Sequence, residues 1–205
     1  AALNFEETYG YFPAGYMGPW NNQGDFYQPQ NQSMGWNSTA GGTPSYCGVI
    51  PQLLPFLDGS AAFREIPRVR IKVDETNQGR WWANPTWTPA RTTIPGLKCP
   101  TQAERGRRTV ACLQMRRYTL TLVFWQQNYQ RGRTDYVGVA GVFSNMGGWV
   151  SHEGPFRNRS KTTFAQIRDG SSNTLLFGET TGGDLYLHSW MGSGVLPTYW
   201  GLRRG

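Results

Sequence analysis

The sequence predicts an α+β fold, in which a few short helices accompany a small antiparallel sheet and long irregular connections. Three observations carry that prediction. Residues 118–125 (Tyr-Thr-Leu-Thr-Leu-Val-Phe-Trp) are dense in β-branched and aromatic side chains, which suit a pleated, half-buried surface. Nowhere does an apolar period of 3.6 residues persist for more than a few turns. Glycine (26) and proline (13) punctuate the 205-residue chain throughout and cut it into short pieces. This length suits one domain, residues 1–205, with a core of its own. No apolar run reaches the roughly 18 residues that a membrane-spanning helix needs.

In chain order, residues 1–9 combine Ala, Leu and Glu with Phe5, then stop at Gly10 and Pro13. They read as the distal turns of a helix whose beginning is absent, so the chain reads as processed or truncated. Residues 10–46, rich in Gly, Asn, Gln and aromatic side chains, read as one long loop held by its own rings. Residues 48–66 predict short helices broken at Pro51 and Pro55, with Asp58 or Ser60 capping the second. Residues 69–73 (Val-Arg-Ile-Lys-Val) alternate as a strand does, and residues 81–87 form an aromatic loop with Trp81, Trp82 and Trp87. Residues 118–125 are the firmest strand. Residues 136–143 are a strand interrupted by glycine, 174–177 a short buried strand, and 190–199 a Gly- and Trp-rich terminal segment.

The net charge is +7, with only 16% of residues charged, and seventeen of the twenty basic residues are Arg. Arg favours flat stacking and bidentate contacts, whereas Lys acts as a hydrated point charge. One reading is an acidic partner such as an anionic polysaccharide, met by Trp81, Trp82, Trp87, Arg105, Arg107 and Arg108. The other is Arg–aromatic stacking with aromatics pinning loops to a small core. The basic clusters are scattered, and no zinc-finger spacing or RNA-binding aromatic motif accompanies them, which makes nucleic acid an unlikely partner. Cys47, Cys99 and Cys112 show no C-x-x-C spacing. A Cys99–Cys112 disulfide would suit an exported protein, and buried free thiols are the alternative; Cys47, beside Val49 and Ile50, reads as a core thiol.

Catalytic chemistry is thinly represented. His152 and His188 lack partners at metal-ligand spacing, His152 and Glu153 are adjacent, a spacing that usually sends two side chains to different sides, and Ser193 lacks the nucleophile-elbow pattern. The most patterned stretch is residues 167–179. Asp169 and Gly170 make a turn signal, Ser171 and Asn173 can bond nearby amides, and Glu179 ends the segment. Asp169, Ser171 and Asn173 alternate oxygens like the start of a calcium loop, but the twelfth position is Thr180, so a structural turn is the preferred reading and calcium the weaker one.

Several segments together resemble the DUF1559 family of pseudopilin-like, prepilin-type proteins abundant in planctomycete bacteria. Residues 3–15 resemble the stretch that follows that family's hydrophobic helix. Residues 50–57 (Ile-Pro-Gln-Leu-Leu-Pro-Phe-Leu) are similar to its "LLPYLEQ", residues 94–100 to its "FLCPSD", and residues 135–141 to its "NYVGNAG". Gly154-Pro-Phe156 and residues 167–179 match its C-terminal signature. The resemblance implies a pilin-like fold, with the remnant of an N-terminal helix packed on an antiparallel sheet. It also implies an exported subunit of the cell envelope or of an extracellular filament of the type II secretion kind. Such a subunit assembles with itself or with other pilin-like subunits, touches the membrane only through an upstream helix, and has neither cofactor nor catalysis. The alternative is a soluble module that binds carbohydrate or polyanions.

Overall fold

The computed structural model describes residues 1–18, 44–81, 83–101, 132–141, 153–179 and 188–192 in full, and the backbone of 109–116, 119–124, 187 and 195–196. Helix α1 (Ala2–Tyr9) is built from strong helix formers and ends at Gly10, whose left-handed backbone (φ 76) lets its N–H reach the Glu6 carbonyl at 2.7 Å. Its inner face is Ala2 and Phe5, one turn apart, with the half-exposed Tyr9 at its edge. Phe5 lies 4.5 Å from Tyr9, and 5.9 Å from both Tyr11 and Phe56, between ring centroids. Helix α1 thus rests on the aromatic end of the next helical segment. That segment is α2 (Ile50–Leu53), which runs into a 3-10 turn (Leu54–Phe56), because Pro51 and Pro55 are tolerated only at the start of a helical turn. Helix α3 (Ser60–Glu65) follows and packs against the 3-10 turn Pro89–Arg91. Its N-cap is Gly59, in place of the expected Asp58 or Ser60; the Gly59 carbonyl accepts the Phe63 amide at 3.0 Å, and no side chain caps the helix.

The strands form two small sheets. In the first, the order is β2 (Thr119–Phe124), β1 (Thr109–Arg116), β6 (Leu187–Ser189) and β3 (Arg133–Thr134). In the second it is β5 (Phe177–Glu179), β4 (Tyr136–Val139) and β7 (Val195–Leu196). The hairpin β1–β2 is antiparallel with a register shift between Val110 and Cys112. Each sheet also contains one parallel pair, β1–β6 and β4–β7. The α+β class is therefore as the sequence predicts, with strands at 119–124 and 136–139 inside the segments expected to hold them.

Two elements differ from expectation. Residues 69–73 are not a strand: Arg68–Ile71 is a 3-10 turn, and Val69 and Arg70 exchange the places expected of them, with Arg70 6% exposed and Val69 36% exposed. The cause is the Arg70 guanidinium, which donates to the carbonyls of Arg80 and Asn84 and draws the chain inward at this point. The strand expected at 174–177 forms instead over Phe177–Glu179, and Leu175 is 70% exposed while Leu176 and Phe177 pack on the core.

Candidate functional site

The core is assembled mostly from loop residues. Phe12, Ala14, Tyr16 and Met17 meet Cys47, Val49, Leu53, Leu54, Trp81, Phe156, Trp190 and Met191, and all of these are essentially inaccessible. Loops bring backbone amides and carbonyls into this interior, and each buried polar group needs a partner. Long polar side chains supply them. The Gln52 amide bonds both the N–H and the carbonyl of Ala14, at 3.1 and 2.6 Å, as a β-ladder neighbour would. Gln78 accepts the Ser45 amide at 3.2 Å and donates to the carbonyls of Lys72 and Arg70.

Arg159 is the centre of one such junction. Its guanidinium donates to the carbonyls of Gly18, Val73 and Glu75 and to the Gln78 side-chain oxygen, at 2.7 to 2.9 Å. Next to it, Asn158 accepts the Gly18 amide at 2.9 Å. Two segments far apart in sequence, 16–18 and 73–78, are thereby fixed to one strut. Burial lowers the Arg159 pKa to about 10, against the opposing influence of Asp74 and Glu75.

A second junction joins two of the segments that resemble family motifs. Asp135 is 2% exposed; one carboxylate oxygen accepts Arg133 Nε at 2.6 Å and the other accepts the Cys99 amide at 2.8 Å. The Asp135 amide in turn donates to the Leu97 carbonyl at 2.8 Å. Asp135 thus clamps the Ile94–Cys99 stretch onto the start of β4. Across β3–β6 the pairs are Arg133 with Ser189 and Thr134 with His188. Burial lowers the His188 pKa, and the nearby Asp135 opposes that shift. Beyond the clamp, desolvation and then the Glu179 charge raise the Tyr136 pKa.

The residues singled out in the sequence are distributed over several places. Trp81 is fully buried, with Trp87 stacked beside it at 6.5 Å between centroids, so Trp81 is a core residue and offers no face to a sugar. Trp82, Arg105, Arg107 and Arg108 lie outside the described residues, as do His152, Thr180 and Ser193. Cys99 is a free thiol, half-buried, 3.1 Å from the Thr101 hydroxyl, while its amide is fixed by Asp135. The Cys112 side chain is outside the described residues. Cys47 is a buried core thiol, 3.9 Å from the Met191 sulfur.

The signature turn is exposed, and its bonds are local. Asn173 Nδ2 donates to the Asp169 carbonyl at 3.1 Å, Thr174 Oγ1 to the Gly170 carbonyl at 3.0 Å, and Gly170 holds φ 83. Asp169 contributes its backbone; its carboxylate bonds nothing among the described residues. Glu179 sits on β5 opposite Tyr136, away from the turn. Asp169, Ser171 and Asn173 form no cluster with His, Cys or Glu that would hold a metal among the described residues. Sequence reasoning passed over Gln52, Gln78, Arg70 and Arg159. The available signal was the preference for Arg over Lys, since a planar guanidinium can satisfy several carbonyls at once.

No curated protein and no solved structure matches the chain. The model of one family, described as "Protein of unknown function (DUF1559)", matches residues 1–201, and the chain belongs to that family.

Proposed function

We propose that this chain is an exported, pseudopilin-like subunit that works through assembly and surface display, without catalysis. The observation that carries this reading is the use made of its buried charged and amide side chains. Asp135, Arg133, Arg70, Arg159, Gln52 and Gln78 are all bound to main chain or to one another. Side chains held this way stiffen a loop-built head and have little freedom to turn toward a substrate. Helix α1 adds support: it buries Phe5 while Leu3 is 55% and Tyr9 51% exposed, so it has apolar surface left for neighbours. Its partners in this reading are further copies or related subunits, and its place is the cell envelope or outside it.

The test is the native N-terminus, determined by mass spectrometry of the protein from envelope and filament fractions. A hydrophobic segment upstream of Ala1, with a processed end, is the expected result. A native chain starting near Ala1 in a soluble fraction would overturn the assembly reading. A second reading, polyanion binding, is favoured by the exposed Arg64, Arg68 and Arg91 on the mutually packed α3 and Pro89–Arg91 turn and the segment between them. Retention on a heparin column that Arg64→Ala, Arg68→Ala and Arg91→Ala together abolish would support it.

A further inference from the structure

Asp-Gly occurs twice in the sequence, at Asp58-Gly59 and Asp169-Gly170, and Asn-Gly does not occur. These dipeptides are chemically special because glycine leaves its own amide nitrogen unshielded beside the carboxyl group that precedes it. The two copies lie in opposite surroundings. Gly59 is buried as the N-cap of α3, and a Cβ placed on it would come 2.6 Å from Leu54 Cδ2. Its carbonyl is held by the Phe63 amide, so the Asp58–Gly59 backbone cannot turn without unseating α3. Gly170 is exposed, and a Cβ there would meet only Asn173 Nδ2, at 3.8 Å. Asp169 is exposed with a carboxylate that makes no bond among the described residues, and the Gly170 amide is held only by a 3.4 Å contact to the Ile167 carbonyl.

We propose that Asp169-Gly170 is a modification site, at which the folded protein converts Asp169 to isoaspartate without an enzyme. The Gly170 nitrogen attacks Asp169 Cγ, and a carboxyl oxygen leaves as water with the amide proton and the acid proton. The product is a five-membered succinimide. Water then opens the ring in one of two ways. Cleavage of the new Cγ–N bond restores aspartate. Cleavage of the bond between the Asp169 main-chain carbonyl and nitrogen leaves the chain running through Cβ and Cγ, which is isoaspartate. No oxidant or reductant takes part. The product carries an extra methylene in the main chain, and its former backbone carbonyl becomes a free carboxylate. The Asn173 bond to that carbonyl, which shapes the signature turn, is then lost or displaced.

The experiment ages the full chain at 37 °C in oxygen-18 water, native and in urea, and maps isoaspartate and label uptake by fragmentation mass spectrometry. The expected result is isoaspartate at Asp169 several-fold above that at Asp58 in the native protein, and comparable amounts at both in urea. Gly170→Ala would strain the turn, so Asp169→Glu serves as the control: it keeps the exposed charge and should abolish the signal. Native protein with no isoaspartate at Asp169, or with as much at Asp58, overturns the proposal.

Discussion

Arg159 occupies φ 51, a left-handed conformation that non-glycine residues seldom adopt, and its guanidinium explains why it stays there. Four acceptors surround that group, three of them main-chain carbonyls. A lysine could reach one or two of them with a single ammonium, so Arg159→Lys should destabilise by about 3 kcal/mol. Urea unfolding would measure it, and a midpoint within error of the parent would refute the strut. The signature turn gives a finer comparison. Asn173→Ala removes the side chain that holds the Asp169 carbonyl and should cost about 1 kcal/mol, comparable to losing a helix cap. Asp169→Ala should change the melting temperature little, because that carboxylate has no partner among the described residues. A larger loss for Asp169→Ala than for Asn173→Ala would reverse the assignment. The sequence made this turn legible through Asp169-Gly170, yet it could not separate the residue lending its backbone from the one lending its side chain. Both are small polar residues with turn-forming habits.

Where the local pattern and the tertiary contacts ask for the same conformation, the pattern was enough to place an element. Helix α1 with its Gly10 stop, the proline-broken α2 and the strand at 119–124 all fall within the segments read as such. The pattern failed at 69–73, where a tertiary demand for donors to the carbonyls of Arg80 and Asn84 holds Arg70 inside and leaves Val69 outside, although Ile71 and Val73 still face the core. Trp81 failed for a related reason: with little aliphatic mass available, the core takes the large ring, which the sequence alone left open as a surface candidate. Two glycines, one just before β3 and one on β5, carry a sharper test. A Cβ on Gly132 would collide with the Trp190 indole nitrogen and the Thr92 carbonyl, which are themselves hydrogen-bonded at 2.8 Å. Gly132→Ala should therefore cost about 3 kcal/mol or more, since both obstacles are fixed. Gly178, on β5, has open space where its Cβ would go, so Gly178→Ala should be neutral to slightly stabilising. Thermal melts of the two variants side by side would check this, and equal losses would mean that the β3–β6 approach is looser than described.

At the scale of the whole molecule, long loops become an ordered core because buried polar side chains supply the hydrogen bonds that a larger sheet would otherwise provide. One of those buried groups should make global stability depend on pH. His188 lies on β6 between β1 and β3, and burial holds its pKa below the ordinary 6.5 although Asp135 pulls it upward. Above that value the imidazole is neutral in both the folded and the unfolded chain, and it contributes no pH dependence. As pH falls below 6.5, the unfolded chain takes up the proton first, so unfolding gains free energy that the folded state does not share. Stability must then drop with acidification, by at most about 1.4 kcal/mol per pH unit, until the folded imidazole also titrates. Melting curves between about pH 7.5 and pH 5 should show this fall in the parent protein and a shallower one in His188→Gln. His152 and the carboxylates are common to both proteins and cancel in the difference between the two curves. Parallel curves would mean that His188 takes its proton as readily in the folded protein as in the unfolded chain, and that the β1–β6–β3 seam is open to water.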